Sequence, residues 1–127
     1  MPEFIFNNAV KKIKKKSRVL ILGLTFKENV KDIRNSKSAT LESLFIKNGY
    51  SVDVFDPVAD KKHAIEEYKI KLVVPKKKNS CIIVAVGHKE FLKMSSNKII
   101  SFFEKPSLLI DIKNIWDRKK LPNYISK

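Results

Sequence analysis

The sequence predicts an α/β domain of three layers, α/β/α, with helices on both faces of a mainly parallel sheet. Short apolar runs at residues 19–22, 81–86 and 108–110, suited to strands buried on both faces, alternate along the chain with helix-length stretches. Such alternation implies βαβ units. Polar residues and a glycine follow the ends of successive strands: 25–34, Asp56, Gly87 with His88, and 111–113. A parallel sheet gathers these along one edge, where open α/β sheets bind ligands.

Taken in order, residues 2–16 place Phe4, Ile5, Val10 and Ile13 at roughly helical intervals and then turn strongly basic, predicting a helix that feeds the domain from outside. Residues 19–22 form the first strand, and Gly23 permits a sharp turn after it. A helix over 38–47 follows, with Asn35 or Ser36 as N-cap and Asn48-Gly49 as its end. Residues 51–55 make the second strand, closing at Asp56-Pro57, and 60–68 the second full helix. Residues 71–74 read as a short third strand, 75–79 as a basic turn, and 81–86 as a strongly apolar strand. Residues 91–103 are mostly helical in pattern, Pro106 resets the chain, and 108–110 form a last strand ending at Asp111. The tail has no clear period.

A chain of 127 residues, 43% of them hydrophobic, has room for one domain with a true core. No apolar run approaches the ~18 residues of a membrane span, and nothing resembles a signal peptide, so a cytoplasmic protein is expected. The single cysteine, Cys81, cannot form an internal disulfide and sits in an apolar strand, where a free cysteine is ordinarily a small buried hydrophobe. No Cys/His spacing points to a metal.

The formal charge of +14 raises nucleic acid as a partner. Against it, lysine greatly outnumbers arginine, no aromatics interleave with the basic runs at 11–18 and 76–78, and no recognition-helix or zinc-finger spacing appears. A lysine-rich surface is the simpler reading.

Lys27 and Arg34 fall between the first strand and the following helix, so they would face that helix's N-terminus. Two cations beside a helix N-terminus suit an anion such as a phosphate. On the chemistry alone a solvated loop with two surface cations is the slightly favoured reading, since Lys and Arg are abundant throughout the chain. No Gly-x-Gly-x-x-Gly follows the first strand, so the usual dinucleotide pyrophosphate loop is missing. Asp32 reads as a residue that orients Lys27 or Arg34 or pairs with the helix end, rather than a base, and His88 as a hydrogen-bonded structural histidine.

As a string, Gly23-Leu24-Thr25-Phe26-Lys27 with Asp32, Arg34, Asn35 and Ser36 resembles the signature that opens the C-terminal domain of UDP-glucose/GDP-mannose dehydrogenases. The resemblance continues through Asp56-Pro57, through Val84-Ala85-Val86 with His88, Glu90 and Phe91, and to Asp111-Ile112-Lys113. Asn29, Asn35 and Ser36 resemble most the branch acting on UDP-N-acetylhexosamines. It implies a Rossmann-like, UDP-sugar-binding domain over residues 17–127, with residues 1–16 as the end of a helix leading from a central domain outside this chain. It also implies an NAD-dependent enzyme that oxidises a sugar C6 alcohol to a carboxylate through a cysteine of that central domain. No catalytic residue is then expected in this chain. Thr25, Phe26, Lys27 and Lys113 would contact the UDP-sugar, Arg34 would reach the NAD pyrophosphate, and the partners would be the other dehydrogenase domains and further copies of the chain.

Overall fold

A computed structural model of the chain describes residues 2–127. Five strands, β1 (Arg18–Leu22), β2 (Ser51–Phe55), β3 (Asn79–Val84), β4 (Phe103–Asp111) and β5 (Ile125–Ser126), form one sheet in the order β2-β1-β3-β4-β5. Every neighbouring pair is parallel, as the alternating pattern requires. Because strand side chains alternate between faces, Val19, Ile21, Cys81 and Ile83 enter one core while Leu20, Leu22, Ile82 and Val84 enter the other. Helices α1 (Pro2–Val10), α2 (Lys37–Lys47) and α3 (Lys61–Tyr68) bring Ala9, Leu41, Phe45 and Ala64 to the first core. The short helices α4 (Lys89–Leu92) and α5 (Ser96–Ile100) bring Phe91 and Ile99 to the second, where Trp116 ties down the tail by donating its indole N–H to the Phe91 carbonyl at 3.0 Å. Among the described residues no helix is long and apolar enough to cross a membrane.

The helix starts follow from their caps. The Ser36 hydroxyl accepts the Ala39 N–H at 3.1 Å to open α2, and the Asp60 carboxylate accepts the His63 N–H at 3.1 Å to open α3. Asn48 caps the far end of α2.

Five expectations need correction. Helix α1 stops at Val10 rather than continuing to residue 16. Lys11 and Lys12 would lie one turn below Lys15 and Lys16, a like-charge arrangement that disfavours helix, and Lys16 is left-handed (φ 64°) where the chain turns into β1. Residues 71–74 form no strand. The Val73 N–H reaches the Val54 carbonyl at 3.0 Å along the outer edge of β2, but Pro75, two residues on, has no N–H to extend a ladder. The helical pattern over 91–103 is split in two, because the Ser95 hydroxyl accepts the Lys98 N–H at 3.2 Å and caps a new helix. Strand β4 is longer than expected and contains Pro106. Its pairing with β3 steps from Asn79–Phe103 to Cys81–Leu108, so residues 104–107 bulge out of the ladder, the place where a sheet tolerates proline. Finally, the tail adds β5, which pairs with Ser107 and Leu108.

Gly23 ends β1 at φ 104°, and a Cβ built there would lie 2.6 Å from the Val86 Cβ and 2.9 Å from the Val86 backbone nitrogen. The segments leaving β1 and β3 can approach this closely only because residue 23 has no side chain. Gly49 is also left-handed (φ 90°), yet a Cβ there meets nothing within 4 Å. Gly49→Ala is therefore expected to cost only the conformational term, about 1 kcal/mol, and Gly23→Ala about 3 kcal/mol or more once the clash is added. Urea denaturation of the two variants separates the terms; equal losses would contradict the close approach at Gly23.

Candidate functional site

The strand order reverses between β1 and β3: β2 lies to one side, β4 and β5 to the other. In open parallel sheets that reversal opens a crevice at the carboxyl ends of the strands. Here a cleft of about 210 Å³ occupies the place. Thr25 and Phe26 after β1, Ala85 and Val86 after β3, and Ile112 and Lys113 after β4 form its floor and sides. Asn35, Lys37, Ser38 and Leu41 at the start of α2, with Pro2 and Ile5 of α1, complete it.

The loop from Gly23 to Arg34 is anchored from below by Asp56, which is 2% exposed at the end of β2. One carboxylate oxygen accepts the Leu24 N–H at 2.7 Å and the Thr25 N–H at 3.1 Å. The other accepts the N–H groups of Val58 at 2.8 Å and Ala59 at 3.0 Å. His88, fully buried at the end of β3, places Nε2 3.0 Å from Asp56 Oδ2 and 3.2 Å from Thr25 Oγ1. Burial pushes the Asp56 carboxyl up, but the hydrogen bonds from His88 and the backbone N–H groups outweigh it and leave the group below its ordinary value. The far side of the same imidazole, Nδ1, accepts the Asn29 N–H at 2.8 Å. That bond assigns the ring proton to Nε2, so His88 donates to Asp56 and Thr25, and the Thr25 hydroxyl in turn donates to the Lys27 carbonyl at 2.8 Å.

The residues expected to form a site are distributed as follows. Thr25, Phe26 and Lys113 line the cleft. Thr25 is 3% exposed and its hydroxyl is committed to the loop, so it shapes the site. Phe26 is 60% exposed and presents its ring. Lys27 is exposed on the adjoining loop and is not part of the cleft wall. Arg34 lines a neighbouring hollow of about 160 Å³ with Phe26, Asp32 and Asn35. Its Nε and Nη2 donate to the two Asp32 oxygens at 3.0 and 2.8 Å, the orienting role expected of Asp32. The Arg34 guanidinium holds the Asp32 carboxyl at about 2. Cys81 is buried among apolar side chains that push its thiol up to about 12, so it supplies no thiolate near neutral pH.

Two features of the site are not among the expected ones. Lys37 and Ser38 reach the cleft as the first residues of α2, a position that the Ser36 cap signal could have revealed. The bonds joining Asn29, Asp56 and His88 link residues 32 to 59 positions apart, and no local pattern encodes them. The basic runs at 11–18 and 76–78 precede β1 and β3, at the opposite edge of the sheet from the cleft.

Comparison with known proteins agrees with this geometry. Residues 20–118 match the model of the UDP-glucose/GDP-mannose dehydrogenase family, UDP binding domain. A UDP-N-acetyl-D-glucosamine 6-dehydrogenase of Salmonella typhi is 42% identical over 102 residues, covering 78% of this chain and 24% of that protein. Its counterpart in Pseudomonas aeruginosa is 37% identical over 106 residues, covering 82% and 25%. The chain thus spans about a quarter of the length of the curated relatives it matches. In fold it resembles a crystal structure of an NDP-N-acetyl-D-galactosaminuronic acid dehydrogenase from Methanosarcina mazei Go1, with a TM-score of 0.76 at 24% identity over 94% of this chain and 26% of that one. A family model matched over residues 20–118 and relatives 37–42% identical over most of this chain, on a domain whose cleft lies at the β1/β3 reversal, establish that the chain belongs to the UDP-glucose/GDP-mannose dehydrogenase family, in its UDP-binding domain.

Proposed function

We propose that this chain is the nucleotide-sugar-binding unit of a cytoplasmic, NAD-dependent UDP-sugar 6-dehydrogenase of the branch acting on UDP-N-acetylhexosamines, which makes uronic acids for surface polysaccharide. The observation that carries this reading is the cleft at the β1/β3 reversal, where an exposed aromatic ring meets lysines from two walls. Phe26 offers its face to a flat base. Lys37 and Lys113 on the walls, with Lys27 on the adjoining loop, supply point charges for a diphosphate, and the N-terminus of α2 adds its partial positive charge.

In this reading the chain binds and orients; the reacting groups lie in the rest of the enzyme, since Cys81 is no nucleophile. When bound in the whole enzyme, NAD would supply the hydride acceptor. The loop after β1 has a single glycine and makes no pyrophosphate cradle of its own, but Arg34 is exposed and its Nη1 has no hydrogen bond among the described residues, so it would hold the pyrophosphate from the domain boundary. Arg34→Ala is accordingly expected to leave UDP affinity of the 127-residue chain unchanged and to weaken NAD affinity about tenfold in the full-length enzyme. A loss of UDP affinity in the isolated chain would move Arg34 into the nucleotide-sugar site instead.

Calorimetric titration with UDP, a UDP-N-acetylhexosamine, GDP and a short DNA duplex tests the function. Uridine-selective binding supports it. Salt-sensitive DNA binding without UDP binding would favour a nucleic-acid module acting through the basic edge, for which each neutralised phosphate adds about 0.9 to the log-log salt slope. Self-association without binding of any of the four would leave an interaction fragment.

A further inference from the structure

We infer that His88 is a positioning residue for the nucleotide site, acting through its Nδ1 atom on Asn29 and so on the loop that carries Phe26 and Lys27. This rests on the proposed UDP-binding role of the cleft and adds to it a residue that touches no ligand. Phe26 and Lys27 have exposed side chains, so their positions depend on how the loop backbone is held. It is held at three places. At its start, Thr25 is bonded to Asp56. At its base, the Phe26 N–H donates to the Asp32 carbonyl at 2.6 Å. At its tip, Asn29 adopts the left-handed conformation (φ 62°) and donates its N–H to His88 Nδ1. The Asn29 side chain also accepts the Lys89 N–H at 3.0 Å, so this residue bridges the segments that leave β1 and β3.

The tip anchor is the one that a merely structural histidine does not need. The bond from Nε2 to Asp56 satisfies a buried carboxylate, whereas the bond at Nδ1 fixes a residue in an uncommon backbone conformation two positions beyond Lys27. The Thr25 hydroxyl, which accepts from Nε2, donates to the Lys27 carbonyl within the loop, a bond that does not need the imidazole. A loop ordered before the ligand arrives loses less entropy on binding, which raises affinity without adding a contact.

Two substitutions separate the two sides of the ring. His88→Gln places an amide N–H where Nε2 was, keeping the donor to Asp56 and Thr25 while removing the acceptor for Asn29. His88→Asn places a carbonyl where Nδ1 was, keeping the Asn29 anchor while removing the imidazole donor to Asp56 and leaving its four backbone donors. In the 127-residue chain, His88→Gln is expected to speed amide hydrogen exchange of residues 26–29 about tenfold, to weaken UDP affinity by a similar factor and to keep most of the thermal stability. His88→Asn is expected to do the reverse: a lower melting temperature, with exchange at 26–29 and UDP affinity retained well below the melting point. If His88→Gln leaves exchange of 26–29 unchanged, or speeds it while UDP affinity holds, the positioning role is overturned. Should the unmodified chain fail to bind UDP, the proposed function falls, and the exchange comparison still decides whether His88 orders the loop.

Discussion

Asp56→Ala is expected to destabilise the domain by about 3 kcal/mol or more, since each buried donor left without its acceptor costs about 1–3 kcal/mol. Domains of this size are held by only about 5–15 kcal/mol, so the variant would be largely unfolded in mild urea. The loss arises because one carboxylate serves the N–H groups of Leu24, Thr25, Val58 and Ala59 together with His88. Alanine leaves all of these donors buried or nearly so, and no rearrangement of a methyl group can satisfy them. Asp56→Asn retains one acceptor oxygen and is expected to fall between alanine and wild type.

The same residue sets an acid limit. Its pKa in the folded state lies below the ordinary 3.8, so the unfolded chain binds the proton more readily. The stability it contributes is complete above the unfolded value and disappears as pH falls through the folded value. Urea midpoints of the wild type should therefore drop below about pH 4, and those of Asp56→Asn should drop less steeply. Parallel pH profiles for the two proteins would mean that another group governs acid stability.

Lys27→Ala is expected to weaken UDP affinity ten- to a hundredfold, since a charge-assisted bond contributes about 1.5–3 kcal/mol and each 1.4 kcal/mol is a factor of ten. The melting temperature should not change, because the Lys27 side chain is exposed and makes no ion pair among the described residues. Only the Lys27 backbone carbonyl is tied into the loop, and alanine keeps it. Lys27→Arg should restore part of the affinity. Calorimetry with the three proteins checks this; unchanged binding in Lys27→Ala would remove the residue from the site and leave Lys37 and Lys113 as the diphosphate ligands.

The elements legible in the sequence are those whose local pattern and tertiary role coincide. Residues 19–22 and 81–84 are unbroken apolar runs because both faces of β1 and β3 are covered, and the start of α2 is written in Ser36, whose hydroxyl makes the cap. Residues 71–74 look equally strand-like, but pairing along β2 fails where Pro75 has no N–H to donate, a fact of alignment that composition does not carry. Strand β5 has two residues and exists only because β4 offers it an edge. For the site, the resemblance marked Thr25, Phe26 and Lys113, which the fold brings to one cleft. It could not reveal that Asp56 and His88 jointly support the loop. That arrangement depends on three chain segments meeting at the end of the sheet, and each residue taken alone is an ordinary strand-end polar group.

The most direct test of the account is to map UDP on the isotope-labelled chain by amide chemical shifts. Shifts are expected only in the cleft and its loop: residues 25–27, 35–38, 85–86 and 112–113. Shifts that cluster instead at residues 11–18 and 76–78, or their absence at millimolar UDP, would contradict it.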